Sequence, residues 1–226
     1  MNGDATGNGI ARGAAVFRRR FWRGVVAALI GGAMWGFSGT CAQYLYQHYE
    51  IDPLFITWVR MLGSGILFLI LLASTQRGKL RAIAGDRREL GRLALFGIAG
   101  LFLCQFTYTT SVNATNAGTA TVLQSLNTVF ILAATCLMMR RAPRAMELGG
   151  LALALVATWL IATKGNLTAL MIPPAGLAWG LINAASCTFY IMYPKHLFAR
   201  WGSLPVTGIG MLIGGIAAVA IWGLGG

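Results

Sequence analysis

Acidic residues are scarce in this chain of 226 residues, which has six Asp and Glu against 18 Lys and Arg and a formal net charge of +12. The long apolar stretches contain none of the six. No apolar stretch therefore carries a carboxylate, which removes one common source of intramembrane proton coupling. The six are Asp4, Glu50, Asp52, Asp86, Glu89 and Glu147.

Histidine and cysteine are also too few and too scattered for a metal centre. The two histidines are far apart in sequence, and the four cysteines lie singly in different apolar stretches. Neither a disulfide framework nor a zinc site fits this spacing. A glycine-rich phosphate loop with its lysine is missing, as is a nucleophile next to a base. We therefore predict no catalytic residue, no metal and no cofactor.

Proline is missing from the middle of every apolar stretch. Pro53, Pro173, Pro174 and Pro205 stand where stretches begin, and a missing N–H costs nothing there. Helices broken by proline are thus not expected in any binding site.

Seven apolar stretches fill most of the chain, and 57% of its residues are hydrophobic. Each is about long enough to cross a bilayer, which takes roughly 20 apolar residues. A soluble core of this size cannot hide so much apolar surface. The sequence therefore predicts an all-α, polytopic transmembrane helical bundle. The seven predicted spans are 24–46, 53–76, 93–110, 117–139, 148–163, 172–193 and 204–226.

Basic residues occupy alternate gaps between these spans. Sixteen of the 18 Lys and Arg fall before span 1 or in the connections after spans 2, 4 and 6, whereas the opposite connections contain only Lys164. Basic connections stay in the cytoplasm, so we expect the N-terminus inside and Gly226 outside the cytoplasmic (inner) membrane. Contact with anionic lipid headgroups accounts for the charge, and no nucleic-acid partner is expected.

Residues 1–23 precede the first span and are rich in Gly, Asn, Ala and Arg. This composition predicts a disordered, basic cytoplasmic tail. The first apolar stretch is longer than the apolar region of a signal peptide, and no small-residue cleavage site follows it. We therefore interpret it as a membrane span.

Landmarks of the first two spans recur in the last two. Trp35-Gly36 is followed 144 residues later by Trp179-Gly180, and Met61-Leu62 is followed 150 residues later by Met211-Leu212. Five spans separate the starts of the two copies, so the copies begin on opposite sides of the membrane. Such an inverted repeat is the architecture of many secondary transporters. Chance recurrence of Trp-Gly remains the alternative.

Five short motifs stand at matching positions of the predicted spans. They are Ala33-Met34-Trp35-Gly36-Phe37-Ser38, Trp58-Val59-Arg60-Met61-Leu62, Ala117-Gly118-Thr119-Ala120, Leu126-Asn127-Thr128-Val129-Phe130 and Gly149-Gly150. With them the chain resembles the EamA-type permeases of the drug/metabolite transporter superfamily over roughly residues 24–226. The resemblance implies ten spans in two inverted five-helix repeats, which carry small metabolites or drug-like solutes by alternating access.

The chain departs from the family pattern in three ways. The family usually has proline where Thr128 stands and glutamate where Arg140 stands. Its plan also includes three further spans, so we expect this chain to be a truncated member. The predicted segments are the tail 1–23, the first five-helix repeat 24–164 and the start of a second repeat 172–226.

Polar stripes at helical spacing are the candidate lining of a solute cavity, which needs aromatic and uncharged hydrogen-bonding groups near the midplane. Buried amides need partners and favour a cavity or an interhelical contact. Small residues at the same spacing are equally typical of close helix packing, and Ser or Thr can bond to their own helix. The predicted substrate-binding residues are Trp35, Ser38, Gln43, Arg60, Gln105, Tyr108, Thr121, Gln124, Ser125, Asn127, Trp179, Asn183 and Tyr190.

Arg60 is the one basic residue inside a predicted span. It shares a helical face with Thr57 and Ser64, and a charge at the bilayer centre costs about 2.5–3.5 kcal/mol on insertion scales. We expect this face to point into the bundle. Two roles for Arg60 are consistent with this position. Its guanidinium contacts the solute, or it has a structural ion or hydrogen-bond partner.

These observations favour a membrane permease, an exporter of a small metabolite or drug-like solute, over an enzyme. Its expected partners are the solute and the lipid bilayer, and a homo-oligomer is an open alternative. A seven-helix sensor or receptor without transport activity is the second interpretation. Those proteins usually place the N-terminus outside, and span 7 here lacks a lysine that could hold retinal.

Overall fold

The computed structural model describes residues 4–49, 51–163 and 172–225, and every regular element in these ranges is helical. This confirms the predicted all-α, polytopic bundle. The segment Phe96–Phe102 is a π-helix continuous with the α-helices on either side. The α-helices are α1 (Asp4–Tyr49), α2 (Pro53–Thr75), α3 (Arg77–Gly85), α4 (Arg87–Leu95), α5 (Leu103–Ala114), α6 (Ala117–Ser125), α7 (Asn127–Met138), α8 (Ala145–Thr163), α9 (Pro174–Met192), α10 (Lys195–Trp201) and α11 (Ser203–Gly225).

Six helical stretches in the described part of the chain are long and apolar enough to cross a membrane. They correspond to six of the seven predicted spans. Predicted span 5 is the exception, because its helix α8 has only the shorter apolar stretch Ala145–Leu160. The six are Phe21–Tyr49, Pro53–Thr75, Arg87–Ala114, Ala117–Met138, Pro174–Trp201 and Ser203–Leu224.

The described chain up to Cys41 forms an N-terminal unit made of α1. The sequence predicted a disordered tail for residues 1–23, and here the structure differs. The helix begins at Asp4 and runs without a break into the first span. Ala and Arg, which are frequent in this segment, are good helix formers. The described residues from Ala42 onward form the second compact unit.

An Asp or Asn side chain caps the N-terminus of two membrane helices. Asp52 Oδ1 accepts a hydrogen bond from Leu54 N–H at 2.8 Å, and Pro53 occupies the first position of α2. Asn116 Oδ1 accepts one from Thr119 N–H at 2.8 Å at the start of α6. Each cap satisfies a backbone donor that has no partner within the helix. Only Thr115 and Asn116 separate α5 from α6, so a tight turn joins these two helices.

Helices α2 and α11 pack through a reciprocal pair of leucine–glycine contacts. A Cβ on Gly65 would lie 2.8 Å from the Leu212 nitrogen, and a Cβ on Gly215 would lie 2.9 Å from the Leu62 nitrogen. Glycine lets the two backbones approach this closely. Leu62 and Gly65 recur 150 residues later as Leu212 and Gly215, so the contact exchanges equivalent positions of the repeated sequence.

The π-helical segment packs against the same helix. A Cβ on Gly97 would lie 2.6 Å from the Gly210 carbonyl oxygen, so these two backbones are also in close contact. A π-turn inserts an extra residue and redirects the side chains that follow it, often at functional sites. Phe96, at the start of this segment, has no exposed surface and lies in the same hydrophobic core as Met61 of α2.

Adding a methyl group at Gly65 is expected to force α2 and α11 apart. The Gly65→Ala variant should lose about 1–3 kcal/mol of unfolding free energy, the usual cost of overpacking. Gly63→Ala on the same helix is the matched control, because its added Cβ has no neighbour within 4 Å beyond its own turn. Thermal unfolding in detergent compares them, and equal midpoints for the two variants would contradict this packing.

Candidate functional site

Buried amide side chains meet two buried cysteines where α5, α6, α7 and α9 pack together. Asn183 on α9 is 1% exposed. Its Nδ2 donates to the Cys104 carbonyl oxygen at 2.7 Å and to Thr107 Oγ1 at 3.0 Å, both on α5. An amide in an apolar interior needs such partners, because leaving it unpaired is costly. Asn183 therefore fixes the rotation of α9 against α5.

Gln124 and Asn127 approach the same place from α6 and α7. Asn127 Nδ2 donates to Cys187 Sγ at 3.1 Å. Gln124 Nε2 lies 3.9 Å from Cys187 Sγ and 4.0 Å from Cys104 Sγ, so both sulfurs act as weak acceptors. We call the following six residues the amide cluster: Cys104, Thr107, Gln124, Asn127, Asn183 and Cys187.

A break in the fourth membrane stretch positions Asn127. Helix α6 ends at Ser125 and α7 begins at Asn127, although Thr128 stands where the family usually has proline. The Thr188 hydroxyl of α9 donates to the Asn127 carbonyl oxygen at 3.3 Å. A side chain from a neighbouring helix thus binds a backbone group beside the break, as membrane helices require.

Two acceptor atoms of the amide cluster have no protein partner. Gln124 Oε1 and Asn183 Oδ1 are both buried and receive no hydrogen bond. A buried acceptor left unpaired costs about 1–3 kcal/mol. These two oxygens are therefore suited to receive an N–H or O–H group from a small solute or from water.

The amide cluster consists of hydrogen-bonding groups and thiols without a formal charge. The residues that the structure describes contain no group of three or more His, Cys, Asp or Glu that could hold a metal ion. Hydrogen-bond donors and acceptors without formal charge suit reversible binding of a polar solute inside a membrane protein.

Aromatic rings flank the amide cluster along α9. Trp179 packs edge-on against Phe106 with ring centroids 5.9 Å apart, one helical turn before Asn183. Tyr190 stacks on Phe96 with centroids 5.8 Å apart. The sequence predicted both Trp179 and Tyr190 as substrate-binding residues, and the structure places them next to the cluster on the same helix.

Hydroxyl groups and one arginine form a second polar region near the start of α2. Thr57 Oγ1 and Thr109 Oγ1 lie 2.8 Å apart, and Tyr108 OH lies 3.1 Å from Thr121 Oγ1. Arg60, one turn along α2 from Thr57, has a buried Nη1 without a hydrogen-bond partner. The unused N–H groups of this buried Nη1 can donate to an acceptor group of a solute.

Two other predicted residues make contacts that stabilise helices. Gln43 Oε1 accepts a hydrogen bond from Ala117 N–H at 2.8 Å and so caps the start of α6. Ser125 is exposed, and its hydroxyl donates to the Val122 carbonyl oxygen of its own helix at 2.6 Å. Their predicted role in solute binding stays a prediction.

Three predicted residues remain. Trp35 and Ser38 belong to α1 within the N-terminal unit. Gln105 is half-buried on α5, directly after Cys104. The substrate-binding role of the whole predicted set likewise stays a prediction.

Sequence reasoning missed three members of the amide cluster, because it assigned no binding role to the cysteines and passed over Thr107. A signal was available in the spacing. Thr107 follows Cys104 by three residues and Cys187 follows Asn183 by four, so each pair shares a helix face.

Glu89 is a further residue that sequence reasoning did not single out, since it falls in the predicted cytoplasmic connection between spans 2 and 3. The structure puts it on α4 with 1% of its surface exposed. Its carboxylate accepts hydrogen bonds from Arg92, Arg200 and Trp201. Hydropathy alone did not separate this residue from the exposed arginines around it.

Membership of a transporter family follows from comparison with known sequences. The sequence model of the EamA-like transporter family matches residues 22–163, and the chain belongs to this family. The resemblance seen in the motifs is thereby confirmed. The protein is a multi-pass membrane protein.

A curated relative supports the same assignment. Over 194 residues the chain is 34% identical to the "Uncharacterized inner membrane transporter YicL" of Salmonella typhimurium. The aligned region covers 86% of this chain and 64% of the relative, so the chain spans less than two thirds of that protein's length. No solved structure matches the chain.

Replacing the central amide by a carboxylate tests the geometry of the cluster. Asn183→Asp turns a donor that faces the Cys104 carbonyl oxygen and Thr107 Oγ1 into an acceptor. We expect a loss of about 1–3 kcal/mol in unfolding free energy, the cost of unpaired buried groups. Asn113→Asp at an exposed position of α5 should change little. Thermal unfolding distinguishes the two, and a neutral Asn183→Asp would contradict the assigned contacts.

Proposed function

We propose that this protein is a permease that moves a small metabolite or drug-like solute across the cytoplasmic membrane by alternating access, as an exporter. The observation that carries the proposal is the amide cluster, which lies where helices of the segment 24–164 meet a helix of the segment 172–226. Secondary transporters of inverted-repeat design bind their solutes at such repeat interfaces.

The reciprocal contact between α2 and α11 supports an inverted-repeat arrangement. Leu62 touches Gly215 while Leu212 touches Gly65, and each pair maps onto the other by the same 150-residue offset. An approximate two-fold axis between the repeats produces this exchange. We therefore propose that the repeats are 24–164 and 172–226, and that rocking of one against the other moves the solute.

The chemistry of the cluster suggests what the solute carries. The unpaired oxygens of Gln124 and Asn183 fit N–H or O–H donors, and the unused Nη1 of Arg60 fits an acceptor. Aromatic rings of Trp179 and Tyr190 supply apolar surface. A small polar organic molecule fits this set. No comparable observation favours the sensor interpretation, because the matching family and the curated relative are both named as transporters.

The test is transport by the purified protein in liposomes, with a solute chosen from a library by thermal stabilisation. Gln124→Leu should reduce uptake of the radiolabelled solute at least tenfold, because it removes an acceptor from the site, while the protein stays folded. Gln47→Leu, the same change at an exposed position of α1, should transport at the parent rate.

Two results would contradict the proposal. One is that no library solute both stabilises the protein and crosses the membrane with it. The other is that Gln124→Leu transports the stabilising solute as well as Gln47→Leu does.

Orientation in the membrane provides an independent prediction. The basic connections should lie in the cytoplasm. Alkaline phosphatase fused after Gly226 should be active, and the same enzyme fused at Lys79 should be inactive. Enzyme assays on intact cells measure both, and the reverse pattern would overturn the orientation with the N-terminus inside.

A further inference from the structure

A buried carboxylate joins the two repeated segments at the end of the bundle that bears the basic connections, here called the arginine-rich end. Glu89 lies on α4, one turn after the helix cap Asp86. Asp86 Oδ1 accepts hydrogen bonds from the N–H groups of Arg88 and Glu89 at 3.0 and 3.3 Å. The cap fixes the start of α4, so the position of Glu89 is set by its own helix.

Both carboxylate oxygens of Glu89 are used. Oε1 accepts from an Arg92 guanidinium nitrogen at 2.8 Å and from an Arg200 guanidinium nitrogen at 2.9 Å. Oε2 accepts from the Trp201 indole Nε1–H at 2.8 Å. Arg92 belongs to the same helix, whereas Arg200 and Trp201 lie at the end of α10, more than 100 residues later. We call these four residues the Glu89 network.

Two further contacts fix the end of α10, where Arg200 and Trp201 lie. The Arg200 guanidinium lies 5.0 Å from the centre of the Trp201 ring, so the two side chains orient each other. Lys79 Nζ of α3 donates to the Trp201 carbonyl oxygen at 3.2 Å. The next residue, Gly202, has φ of +88°, a left-handed conformation that suits glycine, and α11 begins directly after it.

A layer of aromatic rings lies between the Glu89 network and the amide cluster. Phe96, two turns after Glu89, stacks on Tyr190 at 5.8 Å and packs edge-on against Phe198 of α10 at 6.1 Å. Tyr190 is three residues after Cys187. Movement of α10 away from α4 would therefore also separate Phe198 from Phe96, the ring that stacks on Tyr190 of α9.

We propose that the Glu89 network is the gate contact that closes the arginine-rich end of the solute pathway. Breaking the bonds from Glu89 to Arg200 and Trp201 releases α10 and the start of α11 from α4, and the amide cluster becomes accessible from that side. The pathway itself rests on the proposed transport function, whereas the closure by Glu89 is measured without any solute.

Burial and sequence separation distinguish Glu89 from the other glutamate near this end. Glu147 binds Arg141 through both oxygens at 2.7 and 2.8 Å, but the two residues are only six apart and belong to the α7–α8 hairpin. Its side chain is also 29% exposed, against 2% for Glu89. A bond within one hairpin cannot hold the two segments together, so Glu147→Gln is a matched control for Glu89→Gln.

The experiment uses the native buried cysteines as reporters. Cys104 and Cys187 are buried in the amide cluster, while Cys41 is exposed and Cys136 half-buried. The background variant carries Cys41→Ser and Cys136→Ser. A sulfonated, membrane-impermeant maleimide is added to inside-out vesicles of a strain that expresses the full chain. Such vesicles expose the cytoplasmic side of the membrane to the reagent. Glu89→Gln should raise the labelling rate of the remaining cysteines at least fivefold, and Glu147→Gln should leave it at the background rate.

Labelling from the opposite side separates gate opening from general loosening. In right-side-out vesicles Glu89→Gln should label at the background rate, because a gate at one end does not open the other. Trp201→Phe, which removes the indole donor and keeps a ring, should reproduce the one-sided increase even where Glu89→Gln is poorly folded.

Three results would overturn the inference. They are an unchanged rate in both Glu89→Gln and Trp201→Phe, an equal increase on the two sides, and an equal increase in Glu147→Gln. One-sided labelling in a protein that transports no solute would instead contradict the proposed function and leave the gate contact standing.

Discussion

Close backbone contact between α2 and α11 is the interaction on which the rest of the unit from Ala42 onward depends. Lipid chains are as apolar as leucine, so helices in a bilayer associate through tight packing and interhelical hydrogen bonds rather than through the hydrophobic effect. Gly65 and Gly215 bring the two backbones together at reciprocal positions. The π-helical segment then packs on α11 through Gly97, which places the third membrane stretch beside the first contact.

Polar groups in the interior add interhelical hydrogen bonds to the close packing at the glycines. Asn183 bonds α9 to α5, and Asn127 bonds α7 to α9. Gln124 and Asn183 have more hydrogen-bonding capacity than the protein uses, since Gln124 Oε1 and Asn183 Oδ1 stay unpaired. The same side chains that set the helix rotations therefore leave acceptors for a solute. In the proposed permease one group of residues serves both stability and solute binding, and for that reason a variant has to be judged on folding as well as on transport.

Charge is distributed differently at the two ends of the bundle. Most arginines at the arginine-rich end are exposed, where an isolated ion pair contributes about 0–1 kcal/mol. Glu89 differs from these exposed residues, because three donors surround its carboxylate and it has little contact with solvent. Its partners Arg92 and Arg200 are more than half exposed, so replacing Glu89 removes their common acceptor and leaves both guanidinium groups in contact with solvent. One acidic residue among many basic ones can thus control the contact between two segments of the chain.

Hydropathy and charge, read from the sequence alone, were sufficient to determine the helical membrane bundle and the positions of most spans, and short motifs indicated the family. These properties are local, because about 20 consecutive apolar residues fix a span and the nearest arginines indicate its orientation. The sequence also singled out Gln124, Asn127 and Asn183, because an amide within an apolar stretch needs a partner wherever it lies. Which partner it finds was decided by the tertiary structure. The bond from Asn183 to Cys104 joins residues 79 apart, and the bond from Glu89 to Arg200 joins residues 111 apart. Such contacts depend on how far each helix is rotated and how closely it approaches its neighbours, and no local pattern encodes either quantity.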